Sequence, residues 1–442
     1  MQEPILFSDL IAETKDGEWG EGQEAPGHVL CDVIRGTDFA GLNAPGIELP
    51  QRWIPEHLVA RKALAADDIL IETAGGTAKQ PTGRTALITK KFLASRKGRP
   101  VLCSSFARHL RVDQAKAHPI YLYYVLQALY TSGYMAVFNL QHTGVARFQF
   151  TAFRTKTRLT LHESTAQPKI AATLRSYDDL IANNQGRIAL LESMAEEIYR
   201  EWFVRMRFPG AKSATFEKGV PTDWTHKPIL AAFNFYGGAT PSKDNPRFWV
   251  DGDVNWYTPT DITGTSSPYL EESADKCTDE GLQSCSANLF PAYSIMMTSR
   301  ATIGAIGINC VPACTNQGFI TCIPNQRYPL TYLYHWLKLA KPHFEMLSGG
   351  ATFAELTKGT FKRICILTPP EKLVAAYEEQ VRPMFDQVES LTKINRRLRA
   401  TRDALLPRLI SGKLRVDALD IQFPPSMQQP PAEFAHPAAI SS

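Results

Sequence analysis

Ile170 to Trp202 reads IAATLRSYDDLIANNQGRIALLESMAEEIYREW. Within it Ile170, Leu174, Tyr177, Ile181, Asn184, Ile188, Leu191, Ala195, Ile198 and Trp202 recur at alternating steps of four and three, the spacing of a coiled-coil seam. At 1.5 Å per residue such a helix is roughly 50 Å long. About 210 residues later the pattern returns in Val374, Tyr377, Val381, Met384, Val388, Leu391, Asn395, Leu398, Arg402 and Leu405. Proline lacks the N–H that a helix interior requires, so the first helix is expected to open after Pro168 and close before Pro209-Gly210. The second should open near Pro369-Pro370 and end at Pro407. Pro383 falls inside the second helix and is expected to kink it or restart it.

Each seam carries one asparagine, Asn184 or Asn395. If the helices run antiparallel and these two face each other, every other layer follows with residue numbers summing to 579. Ile188 then meets Leu391, Ile181 meets Leu398, Leu191 meets Val388, Leu174 meets Leu405, Ile198 meets Val381 and Trp202 meets Tyr377. Only Arg402 falls out of pattern, opposite Tyr177, where a cation over an aromatic face is tolerable. A polar pair in an apolar seam costs stability but fixes register and orientation. We therefore expect an intramolecular antiparallel coiled coil; two unrelated core helices with coincident spacing are the alternative.

The fold class expected is α/β (α+β): two globular domains separated by two long helices, an internal repeat with pseudo-twofold symmetry. The division expected is 1–165, a first globular domain; 166–208, the first helix; 209–368, a second globular domain; 369–416, the second helix; and 417–442, a Pro-rich disordered tail. A chain of 442 residues exceeds one compact core, in keeping with this division. Charged residues at 21% and a mean hydropathy of -0.20 describe an ordinary globular chain. No apolar run approaches the ~20 residues of a spanning helix. The opening residues show no basic stretch leading into a long apolar one, so a cytoplasmic chain without membrane association is expected.

The net charge of +4 is unevenly spread. From Thr73 to His162 there are fourteen basic residues and one acidic, Asp113; from Gly281 to Phe344 there is no Asp or Glu, while Arg300, Arg327, Lys338 and Lys341 are present. Both stretches would attract a polyanion, since each neutralised phosphate releases condensed counterions. The bland alternative is a solvated basic surface. Chemistry of the chain's own is harder to find. The Pro-Pro pairs read Thr-Pro-Pro-Glu, Phe-Pro-Pro-Ser and Gln-Pro-Pro-Ala, none of them the Asn/Asp-Pro-Pro-aromatic type that holds a flipped adenine. No G-x-x-x-x-G-K-[ST] phosphate loop occurs. Cys277, Cys285, Cys310, Cys314 and Cys322 include no C-x-x-C pair, so buried thiols are expected in place of a metal site. No catalytic residue is expected.

Several stretches resemble the specificity subunit of type I restriction-modification systems. RIALLESMAEEIYREWFVRMRFPG (Arg187 to Gly210) is similar to that family's central conserved region, and NRRLRATRDALLPRLISGKLRV (Asn395 to Val416) to its C-terminal one. FYGGATPSKDNPRFWVDGDVNWYTPTDI (Phe235 to Ile262), SRATIG (Ser299 to Gly304) and NQGF (Asn316 to Phe319) are similar to its target recognition domains. DILIETAGGTAKQPTGR (Asp68 to Arg84) resembles part of an N-terminal recognition domain, but a GGATPS-like opening is lacking there, with Gly36-Thr37 at most a remnant. The resemblance covers about residues 25 to 416. It implies a non-catalytic subunit that binds double-stranded DNA, each recognition domain reading half of a split, asymmetric target. It further implies two modification (methyltransferase) subunits and ATP-dependent restriction subunits as partners, phage defence as the setting, and S-adenosylmethionine, ATP and Mg bound by those partners, with no cofactor in this chain. A type IIB-like modification system, or a coiled-coil adaptor that does not bind DNA, are the alternatives.

Base reading needs donors and acceptors on short rigid loops: Arg or Lys for guanine, Asn or Gln for adenine, Ser or Thr for either. The candidates are Thr77, Lys79, Gln80, Arg84 and Arg108 in the first domain, and Thr240, Ser242, Lys243, Arg300, Thr302, Asn316 and Gln317 in the second. Ordinary turn or strand-end contacts are the alternative for each. Lys90, Lys91 and Lys97 are expected at phosphates, which position without specifying. Tyr199, Trp202, Phe203 and Arg205 are candidates for partner docking, with core packing the competing role. Two readers on helices of roughly 50 Å reach major grooves one turn, about 34 Å, apart, so a fixed unread spacer is expected between the half-sites.

Overall fold

A computed structural model of the chain describes residues 3–428, apart from 45, 77–79, 143–144, 266 and 350–353. The chain forms two compact units, 1–186 with 395–442, and 187–394, so that both long helices are divided between them. These helices are Ala166–Tyr199 and Glu371–Ile410. Among the described residues no helix is long and apolar enough to cross a membrane.

The first unit is built on a four-stranded antiparallel sheet in the order Ile11–Asp16, Ala107–Val112, Ile69–Glu72, Thr85–Leu87. Beside it lies a three-stranded sheet in which His28–Ile34 pairs antiparallel with Gln51–Pro55 and parallel with Val101–Cys103. A third sheet joins Asn139–His142, Val145–Phe148 and Ala74–Gly76. The apolar helix Pro119–Thr131 closes the main core, where Tyr121, Leu122 and Leu126 pack with Phe7, Ile69 and Phe153. Both long helices complete this core, through Ile170, Ala171 and Leu174 of one and Leu406 and Leu409 of the other.

The second unit repeats the plan. Phe235–Gly237, Phe319–Cys322, Ile295–Thr298 and Ile306–Asn309 follow one another in the order of the first unit's main sheet, with Tyr269–Leu270 added at the edge. Val254–Tyr257 again pairs antiparallel on one side, with Asp275–Cys277, and parallel on the other, with Ala313–Thr315. The helix Leu330–Leu339 takes the place of Pro119–Thr131. The core gathers Tyr199, Phe203, Tyr332, Tyr377, Val381 and Phe385.

Within the first unit Asn184 Nδ2 donates to Asn395 Oδ1 at 2.9 Å, and both side chains are buried. Several details of the helices depart from the sequence expectations. The first helix opens at Ala166, before Pro168, because a proline in the first turn displaces no intrahelical bond. The second passes Pro407 by three residues to Ile410. Pro383 does not restart the helix: it lies on the exposed face of one unbroken element, Glu371–Ile410. Arg402 does not cover Tyr177; its guanidinium pairs with Asp178 and Asp403. Phe385, not Met384, is the fully buried seam residue there. The tail reading also needs correction for 417–428. Lys169 Nζ donates to the carbonyls of Asp417 and Leu419 at 2.8 and 2.9 Å, Ser426 bonds Asp179, and Met427 packs on the first core. The remaining tail residues lie outside those described.

His109 is 1% exposed on the strand Ala107–Val112, and neither ring nitrogen has a hydrogen-bond partner among the described residues. Burial holds its pKa below the ordinary range, with Arg111 and Lys15 pushing the same way against Asp68 and Glu13. The unfolded imidazole takes up a proton near pH 6.5 more readily than the folded one, so stability declines as pH falls below about 6.5. Thermal unfolding followed at pH 7.5 and 5.5 should show the decline, and His109→Phe should flatten it. For the helix seam, cysteines placed at 188 and 391 should form a bridge within one chain under mild oxidation, read by gel mobility before and after reduction.

Candidate nucleic-acid interface

In the second unit three loops leave the same end of the main sheet. Gly237 faces Ile320, Thr298 faces Phe319 and Met297 faces Ile306, so the loops 238–243, 299–305 and 316–318 emerge together. The first loop is fixed by a close approach at Gly238: a Cβ there would collide with the carbonyl oxygens of Thr315 and Asn316. Ala239 N then donates to Thr315 O at 3.0 Å, and Ser299 N to Gly318 O at 2.7 Å.

This gathers the sequence candidates of that unit. The Thr240 hydroxyl donates to Gln317 Oε1 at 2.6 Å, orienting an exposed amide. Asn316 Oδ1 accepts from Gly318 N at 2.9 Å, a turn contact. Lys243 Nζ lies 3.6 Å from the ring centre of Trp249, 4.5 Å from that of Trp256 and 3.0 Å from Asp275 Oδ2. The two indoles meet edge to face at 5.0 Å, and Trp249 Nε1 donates to Ser242 O at 2.9 Å, so the lysine is held in place while half exposed. Arg300 pairs with Glu355 at 2.9 Å, and the Thr302 carbonyl accepts from Thr298. Sequence reasoning missed the Trp249 and Trp256 cage, although both tryptophans stand in a stretch already noted. It also missed Lys358, whose side chain lies against Gly237, because proximity across 121 residues leaves no local signal.

The first unit presents the corresponding end. Asp16 faces Arg108, Glu72 faces Ala107 and Ile71 faces Thr85, which brings together the loops 17–22, 73–84 and 104–106. Gly17 makes the same close approach as Gly238, here over the carbonyl oxygens of Cys103 and Ser104, and Glu18 N donates to Cys103 O at 2.8 Å. The counterpart of the GGATPS opening is therefore Gly17 to Gly22, not Gly36-Thr37, whose backbone instead packs against the Glu72 side chain. Gln80 is described and exposed; Thr77 and Lys79 lie outside the described residues. The 80–83 turn is tied to the Asn139–His142 strand by Asn139 Oδ1, which accepts from Thr82 N at 3.1 Å.

Arg84 and Arg108 have structural partners. Arg84 forms a fork with Glu72, Nε to Oε2 at 2.9 Å and Nη2 to Oε1 at 2.6 Å, which raises the pKa of the guanidinium; Glu72 is only 1% exposed. Arg108 pairs with Asp16 and lies 4.8 Å over the ring of Phe150. Arg99 with Asp32, and Arg111 with Asp68 and Glu13, continue the pattern. The acid-poor stretch of sequence is thus partly neutralised by carboxylates from other strands. Lys90 and Lys91 stand on the helix Lys90–Ser95, beyond the end of Thr85–Leu87 that lies away from the loops 17–22 and 104–106. Arg147, opposite Ala74 and exposed, is the cation nearer the Gln80 loop.

The docking candidates are largely spoken for in the second unit. Tyr199 and Phe203 are buried in its core, with ring centres 5.5 and 5.0 Å from that of Tyr332. Trp202 packs 6.0 Å from Tyr377, and Arg205 pairs with Glu197 and Glu201. A π-helical turn follows Tyr199 at Arg200–Val204, with Phe203 buried within it. Cys277 and Cys314 are buried with their sulfurs 3.8 Å apart, and among the described residues no group of three or more His, Cys, Asp or Glu could hold a metal.

Short rigid loops that present hydroxyls, amides and cations together at a sheet end form a surface of the nucleic-acid-reading class. Residues 221–400 match the family described as the type I restriction modification DNA specificity domain. The chain is 33% identical over 184 residues to the type I restriction enzyme MjaIX specificity subunit of Methanocaldococcus jannaschii, covering 40% of this chain and 42% of that one. It is 30% identical over 198 residues to the HindI specificity subunit of Haemophilus influenzae, covering 44% and 42%. These matches span less than half the length of either relative. The type I restriction-modification S subunit from M. genitalium shares the fold, with a TM-score of 0.52 at 15% identity over 92% of this chain and 95% of that one. Over these stretches the chain is similar to type I restriction specificity subunits.

Arg84→Ala would strand the Glu72 carboxylate in a buried site, and unfolding in denaturant should show a loss of about 3–5 kcal/mol. Lys243→Ala, which breaks a half-exposed pair, should cost no more than about 1 kcal/mol in the same measurement.

Proposed function

We propose that this chain is the DNA-recognition subunit of a type I restriction-modification complex, each unit reading one half of a split, asymmetric duplex target. The observation that carries the reading is the recurrence, on one strand order, of three loops at one sheet end, in a chain whose residues 221–400 match a DNA specificity domain. Gln80 in the first unit, and Thr240, Lys243 and Gln317 in the second, read base edges; Arg147 and Lys358 meet phosphates. Methylation at adenine N6 and cleavage belong to separate modification and restriction subunits, which bind S-adenosylmethionine, ATP and Mg. This chain chooses where they act and turns over none of these itself.

Single-molecule mapping of N6-methyladenine in host cells with and without the gene tests the reading: methylation at one split motif should vanish with the gene, and an unchanged methylome in cells whose modification subunits are active would sink it. In the assembled complex, Gln80→Ala should alter preference within one half-site. Arg147→Ala should weaken all sequences alike and lower the salt slope by about one. Equal loss on every sequence for both variants would refute the assignment of roles.

A further inference from the structure

Phe106 is a large apolar side chain held out at the sheet end of the first unit, 61% exposed. Its backbone is firmly placed. The Phe106 carbonyl accepts from Thr73 N at 2.8 Å and Ala74 N at 3.3 Å, Ser104 N donates to Ile34 O at 2.8 Å, and Ala107 N donates to Ser104 O at 2.9 Å. The ring therefore projects from a rigid turn between the loops 17–22 and 73–84.

The second unit has an equivalent turn. Ser299 N donates to Gly318 O as Thr73 N does to Phe106 O, and Asn316 N donates to Tyr257 O at 3.0 Å as Ser104 N does to Ile34 O. Gly17 and Gly238 each press on the carbonyl of the turn's first residue and on that of the residue before it. By these matched bonds Ser104, Ser105 and Phe106 occupy the positions of Asn316, Gln317 and Gly318. The corner that carries an amide pair in one unit carries hydroxyls and a phenyl ring in the other. A scattered surface phenylalanine needs no explanation; one at this corner, on a backbone fixed by four hydrogen bonds, does.

We propose that Phe106 is a base-reading residue of the first unit, its ring meeting the C5-methyl group of a thymine in the major groove. That methyl is the apolar feature of the major-groove edge, and a phenyl ring carried on a fixed backbone corner supplies an apolar partner for it. The assignment rests on the DNA-recognition reading above and adds a residue and a base to it.

The test uses the full chain assembled with its modification subunits, as wild type, Phe106→Ala and Phe106→Leu. Each selects from a pool of random duplexes, and the selected site is then bound with single thymines replaced by deoxyuridine, which lacks the methyl. For the wild type one thymine in one half-site should lose about 4-fold in affinity on replacement, the transfer of a single methyl group. Phe106→Ala should lose both the preference and the sensitivity at that position, Phe106→Leu should keep part of each, and the other half-site should stay unchanged. Preference unaltered at every position, equal weakening on all sequences, or relaxation confined to a G·C pair overturns the role of Phe106. A wild-type complex with no sequence-selective binding overturns the DNA-recognition reading itself and this assignment with it.

Discussion

One hydrogen bond inside an apolar seam sets the register on which the packing depends. Asn184 donates to Asn395 at 2.9 Å, and the second amide reaches the Ile181 carbonyl at 3.4 Å. A slip by one layer would leave both amides against Ile or Leu, at about 1–3 kcal/mol for each unsatisfied group. With the observed register, Leu406 and Leu409 enter the first core beside Ile170 and Leu174, while Tyr377, Val381 and Phe385 enter the second beside Tyr199 and Phe203. The long helices are therefore not appendages: each unit is completed by a stretch of both.

A second constraint acts at the sheet ends. In each unit the chain leaving an edge strand of the main sheet, Ile11–Asp16 or Phe235–Gly237, must pass over two carbonyl oxygens, at Gly17 or Gly238, with no room for a side chain. That passage presses the outgoing loop onto the turn that precedes the partner strand, 104–106 or 316–318, and antiparallel pairing delivers a third loop beside them. The backbone thus builds a platform from fixed hydrogen bonds, and the side chains on it vary: Thr240, Asn316 and Gln317 in one unit, Ser105 and Phe106 in the other. A fixed scaffold with changeable corners suits a family whose members would differ in the sequence they read.

Much of this architecture was legible in the chain. Heptad spacing exposes both helices and the layer of Asn184 and Asn395, because only one face of a long helix is buried and the period survives in the sequence. Near the end of the first helix the reading fails: Tyr199 and Phe203 are buried where the heptad had Ile198 and Trp202, and a π turn follows at Arg200–Val204. The loops of the second unit were recognisable from GGATPS and NQGF, and the structure brings them together. In the first unit the equivalent glycine stands in GEWGEG, which shares almost nothing with GGATPS beyond the need to lack a side chain at one position. Close approach of backbone to backbone is a property of tertiary structure, and a lone glycine does not announce it.

Charge was the least faithful guide, and the reason bears on how such a surface discriminates. The stretch from Thr73 to His162 is nearly free of acid, yet Arg84, Arg99, Arg108 and Arg111 meet Glu72, Asp32, Asp16 and Asp68 from neighbouring strands. An arginine that leaves a buried carboxylate such as Glu72 or Asp68 gives up about 3–5 kcal/mol, whereas an exposed ion pair gained elsewhere returns at most about 1 kcal/mol. Those two arginines will stay with the sheet when a polyanion arrives. For a duplex bound as proposed, their fixed charge would add to the attracting field without swinging out to grip it. On the reading proposed above, discrimination would fall to groups set on fixed backbone: the amide of Gln317 aimed by Thr240, the lysine clasped by Trp249 and Trp256, and the exposed Phe106. A surface that attracts with anchored charge and contacts with short rigid groups rewards the matching sequence and gives little back to any other.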